Sequence, residues 1–155
     1  MKPSSLIAIG LAASVLLFVQ PNLKAATEGT TKFDGNWLVT LDAAAYKNPD
    51  GSTARPFTRR FLATVKNGVL HGQTGFRGRP NFYELNGKIE ANGSANLRAD
   101  LITGPKEYNF TPGSKAPPGT GTPYSYSVVA RFDDRHGTGY SNDQRSRTFT
   151  FGKEG

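Results

Sequence analysis

Apolar residues in this chain recur at every second position, in runs too short for helices and broken by Gly, Pro and Asn-Gly. The first run is Phe33-Asp34-Gly35-Asn36-Trp37-Leu38-Val39-Thr40-Leu41. In it Trp37, Val39 and Leu41 alternate with Leu38, Thr40 and Asp42. A period of two puts one set on a buried sheet face and the other toward solvent. The run also holds the only tryptophan, a side chain large enough to anchor a small core by itself.

The same rhythm predicts strands over residues 57–65, 69–74, 81–90, 95–101 and 124–132, a strand starting near Thr138, and a last one over 145–153. Phe57, Phe61, Ala63 and Val65 share a face with Arg59. Tyr124, Tyr126, Val128, Ala130 and Phe132 share another. Asn67-Gly68 suits the positive φ angles of a type I′ hairpin turn, and Asn92-Gly93 marks a second turn. Asn48-Pro49-Asp50-Gly51-Ser52 is a turn cluster. Residues 104–123 break the rhythm with four Gly-Pro-rich clusters, as a binding loop or lid does. Seven or eight strands joined mostly as hairpins make the chain all-β: a small antiparallel up-and-down barrel or, alternatively, a β-sandwich.

Lys2 precedes an uncharged apolar run over residues 6–19; Gln20-Pro21-Asn22 breaks it, and Leu23-Lys24-Ala25-Ala26 follows. This is the order of a secretory signal peptide, and its run of 14 residues falls short of the ~20 that span a bilayer as a helix. The expected organisation is a signal peptide over 1–25, a flexible leader over 26–32 and one domain over 33–155. Cleavage after Ala26 is the alternative. The chain then acts in the periplasm or outside the cell, with no membrane span after processing. It has no Cys, so neither a disulfide framework nor thiol chemistry is open to it. Without Lys2 and Lys24, 17 basic and 12 acidic residues remain, a net +5. That favours anionic partners in a general way.

The Gly35-x-Trp37 pair at the head of a first strand resembles the lipocalin and avidin-like barrels, the calycin group. That resemblance implies a Trp plugging one barrel end beneath a basic residue of the last strand. More of the chain resembles a family of small secreted bacterial β-proteins of unsettled activity. The segments are Phe33-Asp34-Gly35-Asn36-Trp37, residues 65–72, Leu85-Asn86-Gly87-Lys88-Ile89, Gly93-Ser94-Ala95, residues 121–126, Ala130-Arg131-Phe132 and Thr150-Phe151. The family carries a Cys after the first strand and one in the last. Those positions fall here on Ala43 and Arg147. Paired cysteines lie within about 7 Å, so the resemblance implies that residues 43 and 147 are neighbours. An antiparallel ladder through them sets Leu41 opposite Phe149, Val39 opposite Phe151 and Trp37 opposite Lys153. Gly35, Trp37 and Lys153 are thereby assigned structural roles, and the pairing of first with last strand closes a barrel.

The chemistry is sparse. His71 and His136 lack metal-ligand spacing, and no phosphate loop, dinucleotide fingerprint or nucleophile elbow occurs. Asp133-Asp134 reads as a solvated hairpin tip. No catalytic, metal or cofactor site is expected. Arg55, Arg59 and Arg60 flank one strand, and Arg77 and Arg79 lie on the loop beyond its hairpin partner. Both groups should meet at the end of the hairpin opposite Asn67-Gly68, where guanidinium groups could hold phosphate, sulfate or carboxylate. The plainer reading is scattered surface charge. Tyr83, Tyr108 and Tyr140 are the candidates for ligand stacking. Export argues against nucleic acid as partner. The expected function is a monomeric, non-enzymatic binding module for a small or anionic ligand. The alternative is a secreted interaction protein such as a protease inhibitor acting on a protein partner, with an enzyme as the weaker alternative.

The mature protein should begin at Ala26. The intact mass of the exported form tests this, and a mass that retains residues 1–25 overturns the assignment.

Overall fold

The computed structural model describes residues 30–105 and 121–155. The signal segment, residues 26–29 of the leader and residues 106–120 of the long loop, Tyr108 among them, lie outside the described residues. The strands are β1 (Gly35–Ala43), β2 (Tyr46–Lys47), β3 (Thr53–Ala54), β4 (Phe57–Lys66), β5 (Val69–Thr74), β6 (Tyr83–Ile89), β7 (Ser94–Ile102), β8 (Pro123–Phe132), β9 (His136–Ser141) and β10 (Arg147–Lys153). Eight of them close an antiparallel barrel in the order β1-β10-β9-β8-β7-β6-β5-β4. Each barrel strand pairs with the next in the chain and the last returns to the first, which is an up-and-down barrel and excludes the sandwich.

β2 and β3 form a separate two-stranded sheet around the 48–52 turn, inside what periodicity shows only as a connection. β9 begins at His136, two residues earlier than expected. Its inward positions 137 and 139 are glycines, so alternation leaves no apolar mark there. Asn67 and Gly68 both have positive φ, 52° and 73°, as the I′ turn demands.

The register of β1 on β10 pairs Trp37 with Lys153, Val39 with Phe151, Leu41 with Phe149 and Ala43 with Arg147, as the expected ladder had it. On its other side β1 pairs Trp37 with Ala63 and Leu41 with Arg59. Every odd residue from 37 to 43 therefore points into the barrel and is buried.

Trp37 closes one end. Its indole N–H donates to the Phe33 carbonyl at 2.9 Å, and the Phe132 ring meets it edge-on at 5.4 Å. Lys153 Nζ lies 5.9 Å from the ring centre, a cation–π contact of ~0.5–1 kcal/mol. Gly35 leaves the room for it: a Cβ there would stand 3.0 Å from Lys153 Cε. Both Asp34 carboxylate oxygens accept the turn amides of Asn67 and Gly68, at 2.9 and 3.0 Å. Residues 30–32, assigned to the leader, lie against this end. Lys32 pairs with Asp134 at 2.9 Å, and the Thr30 carbonyl lies 3.0 Å from where a Gly68 Cβ would be.

The barrel is filled by its own side chains. Inward glycines face inward rings: a Cβ on Gly72 would come within 2.8 Å of the Phe61 ring, and one on Gly137 within 2.8 Å of the Phe132 ring. Large residues set against absent ones are how a narrow barrel packs without voids.

Two glycines test this packing. Gly93 has φ +85° and a Cβ there would lie 2.1 Å from the Phe132 carbonyl oxygen, whereas a Cβ on Gly152 meets open space. Gly93→Ala should cost about 3 kcal/mol or more through backbone strain and collision. Gly152→Ala should stay within ~0.5 kcal/mol of the parent. Urea unfolding of both variants measures the difference, and equal effects would contradict the close approach of the β6–β7 turn to the end of β8.

Candidate functional site

The end opposite Trp37 is polar. There the inward parity of the strands delivers Arg59 from β4, Tyr83 from β6, Tyr124 and Tyr126 from β8, and Arg147 from β10. Tyr83 and Tyr126 share a hydrogen bond between their hydroxyls at 3.0 Å. Arg147, 9% exposed, lies with its Cζ 4.3 Å from the centre of the Tyr126 ring. Its guanidinium donates to Asp143 Oδ2, which also accepts the Tyr124 hydroxyl at 2.7 Å. Arg147 is thus charge-paired and covered.

Arg59 and Arg145 are held differently. Their Cζ atoms lie 5.8 and 5.0 Å from the centre of the Phe57 ring. Arg145 donates to the carbonyls of Ala44 and Arg55, and Arg59 reaches the Asn81 carbonyl at 3.4 Å. Arg59 also stands 5.5 Å from the Tyr83 ring. Neither has a carboxylate within ion-pairing distance among the described residues. Burial pushes the Arg59 guanidinium below its ordinary value, with Tyr83 and Tyr126 opposing. Burial and then the Arg147 charge push Arg145 in the same direction, with Tyr126 and Asp143 opposing. Two partly desolvated guanidinium groups beside an aromatic ring, neither in an ion pair among the described residues, form an anion-binding arrangement.

Burial would raise the Asp143 carboxyl, but the Ser141 and Tyr124 hydroxyls and Arg147 outweigh it and hold it below the usual range.

The sequence-based candidates divide. Arg55 and Arg59 meet at the mouth, Arg55 through its carbonyl. Arg60 points outward from β4 and is exposed. Arg77 lies on the outer wall, 5.2 Å from the Phe82 ring, where it and His71 both bond Glu84. That carboxylate is pushed up by burial, but His71 and Arg77 more than offset this and bring it below its ordinary value. Arg79 is exposed on the 75–80 loop. Tyr83 is buried in the core, so its ring is packing rather than a free stacking face. Tyr140 is 58% exposed on the outside of β9. Tyr108 lies outside the described residues. Phe57, Tyr126, Asp143, Arg145 and Arg147 were missed as site residues. The ladder through Ala43 and Arg147 already placed Arg147 on the inward parity, and that was the available signal.

Among the described residues no group of three or more His, Asp or Glu gathers as a metal site. Compared with known proteins, the chain matches no family model, no curated protein and no solved structure.

Burial raises the phenol pKa values of Tyr83, Tyr126 and Tyr124, that of Tyr124 to about 12. A pKa raised by folding contributes stability that is full below the unfolded value of about 10 and is lost as pH climbs through the folded value. Phenolate absorbance followed with circular dichroism should show these three tyrosines un-ionised at about pH 11 while the fold persists, and ionising as it melts. Ionisation of all three near pH 10 in a native fold would contradict the burial of Tyr83 and Tyr126 and the bond from Tyr124 to Asp143.

Proposed function

We propose that the protein is an exported, non-enzymatic binding module that holds a small anionic ligand at the open end of its barrel. The carrying observation is the pair Arg59 and Arg145 beside Phe57, partly buried and neither in an ion pair with a carboxylate among the described residues. Keeping positive charge desolvated is costly unless something pairs with it. Here Arg147 has Asp143, while its two neighbours have carbonyls and rings. A carboxylate, phosphate or sulfate would supply the missing charge and accept bidentate bonds.

The filled interior argues for a ligand at the mouth rather than inside. The two histidines favour no acid–base role there: His71 is on the outer wall with Glu84, and His136 opens β9 at the Trp37 end. The N-terminal signal pattern supports export. Closure of the barrel leaves none of its eight strands with a free edge to recruit a second copy, which supports a monomer.

The test is a chemical-shift titration of the folded protein with inorganic phosphate, sulfate and acetate, repeated on Arg59→Met. At least one anion should bind saturably to the parent, and Arg59→Met should weaken it about tenfold, the loss of one charge-assisted hydrogen bond. The same variant should melt no lower than the parent, because it removes a desolvated charge that nothing pairs. Absence of saturable binding, or binding indifferent to Arg59→Met, overturns the reading.

A further inference from the structure

The loop over residues 75–80, between β5 and β6, holds a phenylalanine in water. Phe76 is 82% exposed, the most of any large apolar side chain described. It is not the tip of a slack loop. The Arg79 amide donates to the Phe76 carbonyl at 3.0 Å, the Phe82 amide to the Arg79 carbonyl at 3.1 Å, and the Asn81 amide to the Ile102 carbonyl at 3.0 Å. Gly75, Gly78 and Asn81 take positive φ angles of 77°, 79° and 68°. A Cβ on Gly75 would lie 2.9 Å from the Asn81 carbonyl oxygen. Two linked turns pinned to β7 therefore project an aromatic ring, followed by Arg77 and Arg79, at the end of the barrel where Arg55, Arg59 and Arg145 also lie.

We propose that this loop docks the protein on an anionic phospholipid membrane surface, with the Phe76 ring at the headgroup boundary and Arg79 at the phosphates. An aromatic side chain beside basic ones suits a membrane interface. Each arginine near an anionic leaflet adds to the attraction. A protein partner fits less well. A stable protein interface buries roughly 1,000 Å² or more, and one ring on a six-residue loop supplies only a small part of that. The opposite end sets Asp133, Asp134 and Glu154 beside Lys32, Lys66 and Arg135, so the greater excess of positive charge at the loop end sets the orientation. This docking is independent of the anion site proposed at the mouth.

The experiment is co-sedimentation of the processed protein with vesicles of phosphatidylcholine alone and with phosphatidylglycerol added, at low ionic strength. Binding is expected only to the anionic vesicles. Phe76→Ala should lower partitioning about tenfold, Arg79→Ala about fivefold, and Arg59→Met much less than either. Both tested loop side chains are exposed, so the fold should survive. Phe76→Trp adds a second indole to the buried Trp37, and its emission should shift to the blue on anionic vesicles. Failure of the parent to bind, or binding unchanged by Phe76→Ala, overturns the proposal. So does binding lost in Arg59→Met but kept in Phe76→Ala, since the mouth would then merely be capturing headgroup phosphate.

Discussion

The pairing of β1 with β10 is the constraint on which the rest depends. A meander of antiparallel strands has two raw edges, each a row of unpaired backbone groups. Here the edges satisfy one another through seven residue pairs, from Trp37 with Lys153 to Ala43 with Arg147. Closure fixes which residues face in, because a slip of one residue would turn every side chain to the other face. Trp37 holds that register from inside, through the Phe33 carbonyl and the Phe132 ring. Lys153 and Asp34 hold it from outside, one over the indole and the other on the amides of the Asn67-Gly68 turn. The Phe33-Asp34-Gly35-x-Trp37 segment thus ties the first strand to the last strand and to the first tight hairpin.

A barrel closed in this way and filled by its own rings has its chemistry pushed to the ends. The Trp37 end is plugged by aromatics and bordered by acids and lysines. At the other end the inward parity continues past the apolar layers, and charged and phenolic groups occupy positions that would otherwise be core. Arg147 is made tolerable there by Asp143 and the tyrosine rings. Arg59 and Arg145 are held by carbonyls and by Phe57, which orders them without giving either a direct ion pair among the described residues. Structures keep such unbalanced groups where function needs them, at a cost in stability.

The strands and their buried faces were legible because periodicity in an antiparallel sheet is local. Val39, Leu41, Phe61 and Val128 each announce their side by the residues two away. Arg59 was legible for the same reason, sharing parity with Phe61 and Ala63. The grouping of arginines was not. Arg77 and Arg79 do lie at the same end of the hairpin as Arg59, but Arg77 turns to Glu84 on the outer wall and Arg79 to solvent. Which way a loop side chain turns depends on backbone angles set by Gly75, Gly78 and Asn81, and no period encodes them. Tyr83 looked like a stacking platform, but its inward position and the Tyr126 hydroxyl made it core.

By itself, the sequence determined the all-β class, the tight turn at Asn67-Gly68 and the face of nearly every strand residue. Those follow from alternation and turn chemistry among near neighbours. Tertiary structure alone decided that the lumen is full, that Arg147 takes Asp143, and that Arg145 joins Arg59 at Phe57. It also decided that Phe76 stands in water. These outcomes depend on distances between residues far apart in the chain. Such distances exist only once the barrel has closed and its circumference has set how much room each ring and each charge receives.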